Sequence, residues 1–148
     1  MEPRDALVRE EEEGWAELRA QVDLLDAAQL QEPGLNEDGW SVNDLLWHLG
    51  CWWAEAATQL ERVRLGTYEE HDVPEDDMNA RFLEEGRRQD PSEVLALLLA
   101  ARSRARQELA ALDELAPAAH EWFEESGSLH YREHLGDLRR WVSRVGGS

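Results

Sequence analysis

Lysine is absent from this 148-residue chain, which excludes every Schiff-base or lysine-nucleophile mechanism. Cysteine is nearly absent. Cys51 stands alone, cannot form an internal disulfide, and fits a reducing compartment, so a cytoplasmic location is expected. Long apolar runs are missing as well: the best, Val94 to Ala101, falls far short of the roughly 20 residues that span a bilayer. The first five residues, Met1-Glu2-Pro3-Arg4-Asp5, show no apolar core behind a basic start, so no secretory signal is expected. Positive charge is scarce. Fifteen arginines face 33 carboxylates, for a formal net charge of −18. Nucleic-acid phosphates and anionic membranes would repel such a chain, so neither is an expected partner. The imbalance is concentrated in residues 1–90, with 24 acids against 8 arginines; residues 91–148 carry 9 against 7.

What is present is an apolar fraction of 42%, enough for one globular core over residues 1–148. Its dominant period is helical. Leu7, Trp15, Leu18, Val22 and Leu25 recur at steps of four and three, with Glu11 the one polar member of the stripe. The acidic run Glu10 to Glu13 suits a solvated face near a helix start. This helix is expected to stop at Gln31-Glu32-Pro33-Gly34. Ser41 to Asp44 reads as a capping box that opens a second helix, with Leu45, Leu49, Trp52, Ala56, Leu60 and Val63 on one face and an end near Gly66.

Residues 66–90 form an acidic connection, longer than most helix–helix loops, with a short helical piece at Met78 to Leu83. It is expected to wall a pocket, with Phe82 or Met78 turned inward. Asp90-Pro91-Ser92-Glu93 signals the third helix: Asp90 caps, Pro91 takes the first position and Glu93 closes the box. That helix carries Val94, Leu98, Ala101, Ala105, Leu109 and Leu112 and stops before Pro117. A loop with Trp122, Phe123 and Gly127 is expected next, then a fourth helix over 128–145 bearing Tyr131, Leu135, Leu138, Val142 and Val145. With no strand-period segment, the expected class is all-α, a four-helix bundle.

Three of the five histidines fall inside these helices. His130 and His134 are four apart and share a helix face; His48 lies between Leu45 and Trp52 on the second helix. Together they could give three imidazole nitrogens to one metal and leave positions open for water or substrate. The same spacing also arises on surface histidines and on hydrogen-bonded core histidines.

Two motifs carry a resemblance. Trp40-Ser41-Val42-Asn43-Asp44-Leu45-Leu46-Trp47-His48-Leu49 resembles the second-helix signature of the DinB-like superfamily, and Leu129-His130-Tyr131-Arg132-Glu133-His134-Leu135 resembles its fourth-helix histidine pair. Met78-Asn79-Ala80-Arg81-Phe82-Leu83 is similar to the DfsB or ClbS-like branch. The resemblance implies a four-helix bundle of unusual connection order and a divalent metal, zinc or nickel, on His48, His130 and His134. Relatives include mycothiol-dependent maleylpyruvate isomerase, and the ClbS-like branch includes a resistance protein that opens a reactive cyclopropane. No counterpart of the isomerase's extra C-terminal domain is expected here, so that activity is not the expected one.

Two functions are expected from this. One is a metal-dependent hydrolase or thiol transferase acting on a small electrophile, with a low-molecular-weight thiol as a further partner. The other is a non-catalytic binding or sequestration module with a stress or self-protection role. No nucleophilic serine elbow, P-loop or dinucleotide fingerprint is present. Asp44 and Asp137 are candidates to orient the imidazoles, although capping explains Asp44 equally well. Cys51 is a candidate fourth ligand or, more simply, a packed side chain. Glu133 is expected to point away from the histidine face, and His71 and His120 are expected in solvent. Trp15, Trp52 and Trp141 read as packing. Trp47 and Trp53 project from different sides of the second helix, so one of them is expected to line a pocket or a subunit interface, and an exposed tryptophan patch and a homodimer are expected.

Overall fold

The computed structural model describes residues 2–145. Among them seven α-helices follow one another: α1 Pro3–Val22, α2 Ala27–Gln31, α3 Val42–Leu65, α4 Glu75–Gly86, α5 Val94–Ala110, α6 Pro117–Ser126 and α7 Ser128–Val145. No strand occurs among the described residues, so the all-α class holds. The four long helices α1, α3, α5 and α7 share one core, with α3 lying along α5 and α1 along α7. No helix among the described residues is long and apolar enough to cross a membrane.

The expected first helix is two. α1 ends at Val22 because Asp26 starts a new helix, accepting from Gln29 N while the Gln29 side chain accepts from Asp26 N. The stripe Leu7, Trp15, Leu18, Val22 is buried as its period requires. Glu11 is buried with it at 1% exposure, so the run Glu10 to Glu13 is not a uniformly solvated face.

At α3 the sequence signal is met in atomic detail. Ser41 Oγ accepts from Asp44 N at 3.0 Å, and Asp44 Oδ2 accepts from Ser41 N at 2.9 Å. α3 is buried on more than one side because α4, α5 and α6 all pack on it. Gly50 permits a close approach of α5: a Cβ there would lie 3.2 Å from the Leu98 backbone.

The third expected helix opens differently. Asp90 caps a single 3-10 turn, Pro91–Glu93, by accepting from Ser92 N at 3.0 Å; the α-helix begins only at Val94, and no side-chain bond from Glu93 closes a box. The expected loop after Pro117 is helix α6. Pro117 stands at its first turn and Ala119 and Phe123, four apart, bury its inner face.

Two tryptophans also exchange their expected roles. Trp53 is fully buried against Phe123 and Tyr131, at ring separations of 5.1 and 6.3 Å. Trp52, expected on the core stripe, is half-buried and faces a cavity. Trp47 is half-buried under α4, where its Nε1 donates to Phe82 O at 2.8 Å. The exposed tryptophan patch is therefore absent among the described residues.

Candidate functional site

α3 delivers His48 and α7 delivers His130 and His134 to one point. The helical step of four sets the last two on one face of α7, and that face meets α3. The ring centroids lie 4.8, 5.3 and 4.9 Å apart, and one ligand atom from each ring falls within 4.8 Å of the others. His48 Nε2 and His130 Nε2 are 2.9 Å apart, so one ring donates to the other. Among the described residues this is the one histidine, cysteine and carboxylate cluster able to hold a metal ion.

The electrostatics suit that task. Burial, with neighbouring His134, pushes His48 down to about 3. Burial, then His48 and His134, pushes His130 down to about 2, against a smaller opposing effect of the Ser126 backbone. His134 is lowered by burial while the charges of Glu133 and Asp137 act the other way. All three rings are thus neutral at pH 7, the form in which an imidazole nitrogen can coordinate a metal. Two of their nitrogens, His130 Nδ1 and His134 Nε2, are buried with no hydrogen-bond partner. Leaving buried polar atoms unpaired costs about 1–3 kcal/mol each, so the triad fits a bound ion better than a closed hydrogen-bonded core.

The histidines line a cavity of about 580 Å³. Trp40 covers them, 5.0 Å from His48 and stacked 6.4 Å from His134. Trp52 stands beside them, held by its Nε1 donating to Asn79 Oδ1 at 2.8 Å. The connection between α3 and α5 does wall the cavity, through Tyr68, His71, Val73 and Asn79. Met78 and Phe82 are buried as expected, but they pack α4 onto α3 and do not line the cavity; Phe82 meets Trp52 edge-on at 5.5 Å. The opposite wall comes from α6, with Trp122 and Glu125.

The other candidates are placed as follows. Asp44 spends its carboxylate on the cap of α3 and hydrogen-bonds no histidine. Asp137 pairs with Arg140 and reaches His134 only through its charge. Cys51 lies outside the cluster; burial and Glu85 push its thiol up to about 12, against Arg81, so it stays protonated. Glu133, expected to face away, stands in the cavity lining. His71 is exposed but also lines the cavity, stacked 6.3 Å from Trp122. His120 lies outside the cavity lining, 3.9 Å from Glu124.

Sequence reasoning missed the site roles of Trp40, Trp52, Tyr68 and Trp122. Only Trp40 carried a local signal, its place one residue before the capping box.

The family model described as mycothiol maleylpyruvate isomerase N-terminal domain matches residues 12–142. No curated protein and no solved structure matches. The matched family lies within the DinB-like superfamily, and the DfsB or ClbS-like branch is narrower than this finding.

Proposed function

Because the chain belongs to the mycothiol maleylpyruvate isomerase N-terminal domain family, we propose that His48, His130 and His134 hold a divalent metal ion and that the cavity above them is an active site. The observation that carries this reading is the convergence of three neutral imidazoles, two with unpartnered nitrogens, in a ligand-sized cavity. Three nitrogen donors suit a borderline ion, zinc or nickel. Such an ion supplies a Lewis acid, which activates a small electrophile towards water or a thiol.

The chain's own residues do the rest. α3 and α7 fix the imidazoles on rigid elements. Trp40 shields them from solvent, and the wall of Tyr68, Asn79 and Trp122 orients the substrate. The thiol in the family's name makes a low-molecular-weight thiol the proposed co-substrate. Cys51 is too far from ionisation and outside the cluster to serve in its place. The maleylpyruvate of the same name is a poor fit: it is an anion, and no arginine lines the cavity to receive it.

Elemental analysis of the purified chain tests the reading, followed by activity of loaded and chelator-stripped protein against a panel of thiols and electrophiles. About one ion per chain is expected, lost in His48→Ala and in His130→Ala. A chain without metal, in which added zinc binds no better than to His48→Ala, refutes the site. Stoichiometric metal with ligand binding but no turnover would assign the sequestration role instead.

A further inference from the structure

Charge of one sign surrounds the cavity. Asp38, Glu70, Glu75, Glu121, Glu125 and Glu133 line it, and no arginine does. All six are exposed, and elsewhere some arginines do clamp carboxylates, as in Arg102–Glu11, Arg64–Glu108 and Arg104–Glu61. Among the described residues none of the six cavity carboxylates joins an ion pair. Six unpaired like charges around one concave site repel one another and attract counter-charge. Glu125 registers that field: burial, then Glu121, Glu75 and Glu124, raise its carboxyl above the usual range.

The walls between the carboxylates are aromatic. Trp52 donates its Nε1 to Asn79, and Trp122 donates its Nε1 to the Tyr68 hydroxyl at 3.3 Å. With their polar edges engaged in the wall, these two rings offer the cavity their apolar surfaces.

We propose that the cavity takes a small organic cation, an amine- or guanidine-bearing molecule, with its charged head among the carboxylates and its body against the tryptophans. This names the substrate class of the site read above and rests on that reading. Ring faces attract cations, and carboxylates attract them more strongly. A divalent ion on the histidines offsets two of the six charges, so the loaded site stays negative. An anionic ligand meets the same field with the opposite sign.

The test uses the purified full chain, with its metal content measured, and three probes that share one ring: phenethylamine, 2-phenylethanol and 3-phenylpropionate. Calorimetry gives affinity, and the indole N–H resonances of Trp52 and Trp122 report the place of binding. The amine is expected to bind about tenfold more tightly than either other probe and to shift both resonances. In Glu121→Gln/Glu125→Gln its affinity should fall about tenfold, while the affinity for 2-phenylethanol and the metal content hold. Equal binding of amine and alcohol, or of amine and carboxylate, overturns the proposal. So does the absence of any indole shift with millimolar amine. Metal-loaded protein without amine preference refutes this inference alone, whereas amine preference in a chain that binds no metal refutes the metal reading alone.

Discussion

Glu11 sits on the apolar stripe of α1 and is 1% exposed, yet its carboxylate is fully engaged. Arg102 clamps it through Nε at 2.7 Å and Nη2 at 2.8 Å. The Tyr131 hydroxyl donates to Oε2 at 2.7 Å and itself accepts from Trp53 Nε1 at 2.9 Å. One buried network thereby ties α1, α3, α5 and α7 together. Removing Glu11 strands a half-buried guanidinium and a buried hydroxyl, so Glu11→Ala is expected to cost about 3 kcal/mol in urea denaturation. In the double variant with Arg102→Ala the loss should be well below the sum of the single losses, because the two groups interact directly. Additive losses would refute the network. The sequence shows Glu11 only as a break in an apolar period. Its partner lies 91 residues away, beyond any local pattern. Cys51 gives a second test at this scale. A thiol pushed up to about 12 is protonated at neutral pH, and its thiolate fraction rises tenfold per pH unit up to that value. Alkylation by iodoacetamide near pH 8 should be on the order of 100-fold slower than for a free thiol, and should climb without a plateau between about pH 8 and 10. A plateau near pH 9 would show an ordinary thiol.

Elements whose signals are local were legible. The Ser41–Asp44 box, the stripe of α1 and the i, i+4 pair on α7 depend on residues a few positions apart, and the structure reproduces each. The site's metal-competent core was legible for the same reason, given one inward histidine on α3. Its walls were not, because Tyr68, Asn79 and Trp122 reach the cavity by tertiary placement. Trp52 and Trp53 show the limit: adjacent and equally apolar, they are sorted by what packs on α3, with α6 covering Trp53 and α4 bordering Trp52. That docking of α4 leads to a prediction. A Cβ on Gly86 would fall 2.4 Å from Trp47, whose ring is held by its bond to Phe82 O. Gly86→Ala is therefore expected to destabilise the chain by about 1–3 kcal/mol, despite alanine's better helix propensity. Hydrogen exchange should quicken along α4 first, since the clash loosens α4 from α3. Unchanged stability and exchange would mean that Trp47 has room to turn aside.

At the scale of the whole molecule, net charge and apolar surface pull in opposite directions. With Trp53 in the core and Trp47 under α4, the large exposed apolar side chains are Leu24, Leu65, Leu97 and Leu129. Leu24 lies in the turn after α1 and the others on α3, α5 and α7, and Leu129 borders the cavity. The homodimer expected from a tryptophan patch would therefore have to form without that patch. A stable interface buries about 1,200–2,000 Å² in total, roughly a tenth of the 8386 Å² surface from each partner. Two copies at −18 repel over about 30 Å at 0.01 M salt, but over only about 8 Å at 0.15 M. Association should then depend on salt in a definite direction. In sedimentation at tens of micromolar chain, the expected result is monomer mass at low ionic strength and a rise towards twice that mass at physiological salt. Monomer mass under both conditions would refute the dimer. Dimer mass already at low salt would show that the acidic faces are turned away from the contact and that the repulsion is spent elsewhere on the surface.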